Sequence, residues 1–287
     1  MTIDEALGFG RRALEPTDTA AVLSARLLLQ HVLRVNHPFL VAHNHDRLTA
    51  GQWETYQGLV GRAGRREPIP YLTGTAAFLG RDFDVSPAVL IPRPETEQLV
   101  EVAVAWAASR AGRLRLADVG TGSGCIAVSL ALLLPAAEVE ASDLYAAALE
   151  VARRNAARHG QADRIRFYQG SLLEPLAPGL DAVVANLPYV SDAEWPDLDE
   201  GIRAYEPELA LRGGPDGLAP MRQLLEQARR KLAPAGALFL ETGWQQGEAV
   251  QRLAKTCFPR HEIDLLRDFA GHERIVAVRP AAAGGGR

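Results

Sequence analysis

From Arg113 to the end of the chain, short apolar runs alternate with longer amphipathic stretches, and no other feature limits the fold as strongly. Strand patterns fall at 114–119, 137–142, 165–169, 181–185, 236–241, 261–266 and 274–279. Helical patterns lie between them at 123–134, 145–159, 216–232 and 245–257, with one more ahead of the series at 95–110. Strands joined by helical crossovers run parallel, and a parallel sheet must be covered on both faces. The expectation is an α/β domain built on a mostly parallel seven-stranded sheet.

The chain before this region reads differently. Ala20, Leu23, Leu27 and Leu28 recur at helical spacing, as do Trp53, Tyr56, Leu59 and Val60, with Thr49 as a cap. No alternating pattern precedes Pro70, so residues 1–72 are expected to form a small N-terminal α-helical bundle. Residues 73–93 mix Phe78, Phe83, Val85 and Ile91 with Gly74, Gly80, Pro87 and Pro92, which suits a β-hairpin or extended linker. Pro94 then opens a helix whose first turn carries Glu95 and Glu97, where the helix dipole favours negative charge. The main domain is expected over 94–280, followed by a small, Gly-rich tail at 281–287 that should be disordered.

The segment Asp118-Val-Gly-Thr-Gly-Ser-Gly leads from the first strand of the series into a helix. Gly120, Gly122 and Gly124, with Thr121 and Ser123 between them, allow tight turns and close approach of backbone to a ligand, and the helix N-terminus adds a positive dipole end. The spacing departs from the Gly-x-Gly-x-x-Gly of dinucleotide sites, and the absence of lysine excludes a P-loop. Asp143 ends the next strand, where a carboxylate can take both ribose hydroxyls of an adenosyl ligand. That feature supports adenosine without choosing among cofactors.

A second motif, Asn186-Leu187-Pro188-Tyr189, follows the buried-type strand 181–185, which should neighbour the first strand. The Asn186 side-chain oxygen and the Leu187 carbonyl can each accept one N–H of a planar NH2 group. Tyr189 can stack on its face, and Pro188 stiffens the loop. The motif resembles the (Asn/Asp/Ser)-Pro-Pro-(Tyr/Phe) signature of methyltransferases acting on planar nitrogens, with Leu187 where the first proline usually stands. Tyr71-Leu-Thr-Gly, Leu90-Ile-Pro-Arg-Pro-Glu-Thr-Glu, Tyr205-Glu-Pro-Glu-Leu-Ala-Leu and Glu241-Thr-Gly-Trp-Gln-Gln-Gly extend the match. From about residue 3 to 279 the chain resembles the HemK/PrmC family, the glutamine N5-methyltransferases of class 1 peptide release factors.

The resemblance implies a Rossmann-like class I methyltransferase fold, S-adenosylmethionine as methyl donor and S-adenosylhomocysteine as product. It implies cofactor contacts from Gly120, Thr121, Gly122, Ser123, Gly124, Asp143, Ser171 and Asn186, and catalytic roles for Asn186, Leu187, Pro188 and Tyr189. Arg93 and Glu95 are candidates for the cofactor-pocket entrance. It also makes the helical bundle a docking domain for the release factor, whose Gly-Gly-Gln glutamine is the acceptor. Asn-Leu-Pro-Tyr also resembles the motif of rRNA adenine dimethyltransferases, so an RNA or DNA N6-adenine methyltransferase stands as an alternative. A non-catalytic S-adenosylmethionine-binding protein and a nicotinamide-dependent oxidoreductase are the others.

The net charge of −4 argues against a direct nucleic-acid partner, whose electrostatic footprint would be basic. Cys125 and Cys257 lack metal-ligand or disulfide spacing, and the histidines at 31, 37, 43 and 45 lack accompanying carboxylate or cysteine patterns, so no metal site is expected. The apolar run at 127–137 is too short to span a bilayer. A monomeric cytoplasmic enzyme is the expectation.

Overall fold

A computed structural model describes residues 1–268 and 270–281; the expected disordered tail falls, apart from Ala281, outside them. The chain divides into two compact units, Met1–Thr75 with Leu198–Glu206, and Ala76–Asp197 with Pro207 onward.

The first unit holds helices α1 (Ile3–Leu14), α2 (Ala21–Leu33), α3 (His37–Ala42), α4 (Ala50–Ala63) and α5 (Ile69–Thr73). Capping boxes start two of them: Thr2 with Glu5 on α1, and Thr49 with Gln52 on α4. The core gathers on Tyr56, which is fully buried and donates its hydroxyl to the Ala25 carbonyl at 3.1 Å. A Cβ on Gly10 would lie 2.1 Å from that hydroxyl, so only glycine lets α1 pass over the ring. α2 is helical where the spacing predicts, but it buries Ala21, Ser24, Ala25, Leu28 and Leu29 and leaves Leu23 and Leu27 exposed. The helix is apolar on most of its circumference, so periodicity alone offers two candidate faces, and Gly10 and Tyr56 select one.

The second unit begins with a two-stranded sheet of β1 (Thr75–Phe78, its first residue contributed by the first unit) and β2 (Arg81–Asp84). The two residues that join the strands, Leu79 and Gly80, have φ of 47° and 70°, the paired positive values of a type I′ turn. α6 (Pro94–Ala108) starts on its proline as expected. There follow β3 (Arg115–Val119), α7 (Cys125–Leu133), β4 (Glu138–Asp143), α8 (Ala146–Arg158), β5 (Ile165–Gln169), β6 (Leu180–Ala185) and the short β7 (Val190–Ser191). The chain leaves for α9 (Glu200–Tyr205), which clusters with the helical unit, and returns to β8 (Arg212–Gly214), α10 (Ala219–Lys231), β9 (Leu232–Glu241), α11 (Gly247–Cys257), β10 (His261–Arg267) and β11 (Glu273–Pro280).

Seven strands form one sheet in the order β10-β11-β9-β6-β3-β4-β5, parallel except for β11, which pairs antiparallel with both neighbours. This is the Rossmann-like methyltransferase fold, and every strand and crossover helix read from the sequence lies within a few residues of its predicted range. Strand alternation divides the core in two. Leu116, Val184, Phe239 and Ala277 face one layer with α6 and α7; Ala117, Val183, Leu238 and Val276 face the other with α10 and α11. Strand order reverses at β3, flanked by β4 and β6, so a crevice opens at its carboxyl end, where ligands bind in sheets of this kind. Among the described residues, no helix is long and apolar enough to cross a membrane.

Candidate functional site

Everything at the crevice descends from the register of three parallel strands. Val119 of β3 aligns with Ser142 of β4 and Ala185 of β6, so Gly120, Asp143 and Asn186 leave the sheet at one level. A cavity of about 570 Å³ lies there, within the size range of small-molecule sites. Its walls include Gly120, Thr121, Gly122, Ser123, Asp143, Ser171, Asn186, Leu187 and Pro188.

The glycine loop is anchored before any ligand arrives. The Ser142 carbonyl accepts from both Gly120 N–H at 2.9 Å and Thr121 N–H at 3.0 Å, and Asp143 Oδ2 accepts from Gly122 N–H at 2.9 Å. Three of the loop's N–H groups are therefore spent on the end of β4, so its glycines mainly supply shape. All three have positive φ, and a Cβ on Gly124 would stand 3.0 Å from Ala152 of α8. Asp118 holds the turn from beneath: fully buried, it accepts from the Thr121 hydroxyl at 2.6 Å and from Ala127 N–H at 3.0 Å. Burial pushes its pKa up to about 7. Its other oxygen, Oδ1, has no hydrogen-bond partner.

Asp143 accepts from Tyr145 N–H at 3.0 Å through Oδ1, which orients both carboxylate oxygens while the residue lines the cavity. Burial raises its pKa, against the opposing pull of these backbone donors. Ser171 also lines the cavity and receives a 3.3 Å hydrogen bond from Gln223 on α10.

The Asn186 segment is gripped from several directions. Asn186 Nδ2 donates to the Thr96 hydroxyl at 3.0 Å, and Thr96 donates to Glu241 at 2.7 Å. Leu187 is buried, and its Cδ2 lies 3.0 Å from where a Cβ on Gly120 would be. Gln246 Nε2 donates to the Tyr189 carbonyl at 2.8 Å, and a Cβ on Gly217 would lie 2.2 Å from that carbonyl oxygen. Tyr189 itself does not line the cavity; its ring lies against Gly243, and burial and the nearby Glu241 push its pKa up to about 12. Gly124 is likewise absent from the lining, and of Arg93 and Glu95 only Arg93 lines it.

Sequence reasoning missed Thr96 and Glu241 as site residues, although both fall in motifs it singled out. It also missed the far wall, where Pro207, Leu209, Ala210 and Arg212 face the cavity. Arg212 is fixed by Asp192 at 2.6 Å and by Glu208. The segment 190–214 carries no long periodic pattern; Pro207, Leu209 and Ala210 fall in the Tyr205–Leu211 motif and Arg212 follows it, but only the structure turns them toward the cavity. The four N-terminal histidines are exposed, and His43 pairs with Asp46 at 2.8 Å. Among the described residues, no group of three or more His, Cys, Asp or Glu is arranged to hold a metal ion.

Two family models match this chain: the PrmC N-terminal domain over residues 5–74 and the methyltransferase small domain over residues 100–198. A release factor glutamine methyltransferase of Moorella thermoacetica is 42% identical, with 96% of this chain aligned to 97% of that protein. One of Bordetella pertussis is also 42% identical, over 88% of this chain and 93% of its own. Among solved structures, a methyltransferase from Pyrococcus furiosus superposes with a TM-score of 0.52 at 18% identity, over 71% of this chain and 91% of the other, a likeness of fold.

Proposed function

This chain belongs to the release factor glutamine methyltransferase family, and we propose that it transfers a methyl group from S-adenosylmethionine to the side-chain amide nitrogen of the Gly-Gly-Gln glutamine in class 1 peptide chain release factors. The supporting observation is one cavity shared by the glycine loop, Asp143 and the Asn186–Pro188 segment. The donor set suits the cofactor: a buried carboxylate with fixed oxygens for ribose hydroxyls, and glycines at positive φ where side chains would be strained. S-adenosylmethionine, when bound, supplies an electrophilic methyl group on a sulfonium.

An amide nitrogen is a poor nucleophile because its lone pair is delocalised into the carbonyl. The chain's contribution is therefore positioning. Asn186 Oδ1 and the Leu187 carbonyl accept the two N–H groups of the glutamine and turn the nitrogen toward the methyl group. The same two oxygens favour the positive charge that develops on nitrogen, and the proton leaves once that nitrogen has become acidic. Pro188 stiffens the segment. Tyr189, which does not line the cavity, supports the loop through its carbonyl, which accepts from Gln246 Nε2. In this reading the enzyme is a cytoplasmic monomer, and the helical unit docks the release factor.

The test is mass spectrometry of a purified release factor after incubation with enzyme and S-adenosylmethionine, with one added methyl expected on the Gly-Gly-Gln glutamine. Asn186→Ala is expected to lower kcat by about 100-fold or more while cofactor affinity stays within several-fold. An unmethylated glutamine, or undiminished turnover in the variant, would count against the assignment.

A further inference from the structure

We propose that Thr96 and Glu241 are positioning residues that hold the Asn186 amide with its oxygen toward the acceptor. The inference rests on the methyl-transfer reading above and assigns the two residues behind its reactive loop. Three elements converge: the first turn of α6 brings Thr96, the end of β9 brings Glu241, and the residue after β6 is Asn186. Thr96 is 2% exposed and Glu241 1%, so water does not compete for either group.

The polarity of the chain follows from the valence of its parts. An ionised carboxylate only accepts, so the Thr96 hydroxyl must give Glu241 its single hydrogen, at 2.7 Å. The hydroxyl oxygen can then only accept from Asn186, at 3.0 Å, and Nδ2 is the one amide atom that donates. Oδ1 is thereby left as an acceptor for the substrate NH2. If Glu241 gains a proton, it can donate to Thr96, whose hydroxyl hydrogen can turn to Asn186. The amide then favours the reversed orientation and sets NH2 against NH2.

The groups facing Glu241 decide where that proton binds. Burial raises its pKa; the Thr96 hydrogen bond, Arg274 on β11 and Arg93 before α6 lower it, and Glu95 raises it, while Tyr189 and Cys125 also feel its charge. Burial dominates, and the carboxyl is pushed up to about 7. The relay is thus set to lose its working polarity just below neutral pH.

The experiment measures kcat and KM for methylation of an intact release factor from pH 5.5 to 9, for wild type, Thr96→Val, Thr96→Ser and Glu241→Gln. S-adenosylhomocysteine affinity, by calorimetry, reports on the integrity of the cavity. Wild-type kcat is expected to rise with pH through about 7. Thr96→Val is expected to lower kcat by about 10- to 100-fold, with KM and S-adenosylhomocysteine affinity within about threefold, and Thr96→Ser to recover most of the loss. Glu241→Gln is expected to abolish the rise near pH 7. A wild-type kcat in Thr96→Val, or the same pH rise in Glu241→Gln, overturns the inference while leaving methyl transfer intact. Absence of glutamine methylation by the wild type overturns the functional reading itself, and this inference with it.

Discussion

Leu187 occupies a position whose proposed chemistry uses only its backbone carbonyl, yet its side chain is buried against Gly120. The cofactor loop and the acceptor loop therefore share a packing contact, and a change at either residue is felt at the other. The sequence revealed the residue but gave no sign of the contact, because 66 positions separate the pair. Asp118 was legible as the acid of a glycine-loop motif, while its burial was not. Its raised pKa has a thermodynamic sign: between about pH 4 and 7 the folded state keeps a proton that the unfolded chain has released. Its contribution to stability is full below the ordinary carboxylate range and is lost as pH rises through about 7. Urea denaturation of the ligand-free protein at pH 4.5 and 7.5 is expected to show a smaller loss in Asp118→Asn than in wild type. Parallel curves for the two proteins would mean that the carboxyl ionises normally.

Elements in the sheet were readable because parallel strands buried on both faces are continuous apolar runs, and β3, β6 and β9 have no polar face to confuse the pattern. Helix α2 shows the limit of such reading: its existence is local information, but its buried face is set by Gly10 and Tyr56 from other helices. The docking of the β1–β2 hairpin was also invisible. It depends on Asn155 of α8, which accepts from Asp84 N–H at 2.6 Å and donates to the carbonyls of Asp84 at 2.9 Å and Ser123 at 2.8 Å. One fully buried amide thus ties the hairpin to the cofactor loop. Asn155→Ala leaves these backbone groups without their partner and is expected to cost about 2–4 kcal/mol, read as a lower denaturation midpoint at unchanged slope. A loss below about 0.5 kcal/mol would show that water replaces all three bonds.

The whole molecule departs most from a linear reading at Leu198–Glu206. This stretch lies in the sequence of the methyltransferase unit but clusters with the helices. Its anchors are a 3.3 Å ion pair from Arg66 to Asp199 and a 3.2 Å hydrogen bond from the Tyr205 hydroxyl to the Arg65 carbonyl. Gly201 approaches so closely that a Cβ there would stand 2.6 Å from the Arg66 carbonyl. Deletion of residues 1–75 is therefore expected to leave S-adenosylhomocysteine binding in place and to open 198–206 to protease. Replacing 198–206 by a short Gly-Ser linker in the same truncation should remove the new cleavage site. If the truncated protein resists cleavage there, the excursion is held by something other than the helices.

That excursion also has a consequence in time. A ribosome delivers α1 to α5 first, yet the segment that completes their unit emerges more than a hundred residues later. At ordinary rates of chain synthesis the interval is roughly ten seconds. Throughout it, the nascent helical unit waits with the seat for Leu198–Glu206 unfilled. Its assembly is finished only after β3 to β6 have been made and the Asn186 loop has left the ribosome.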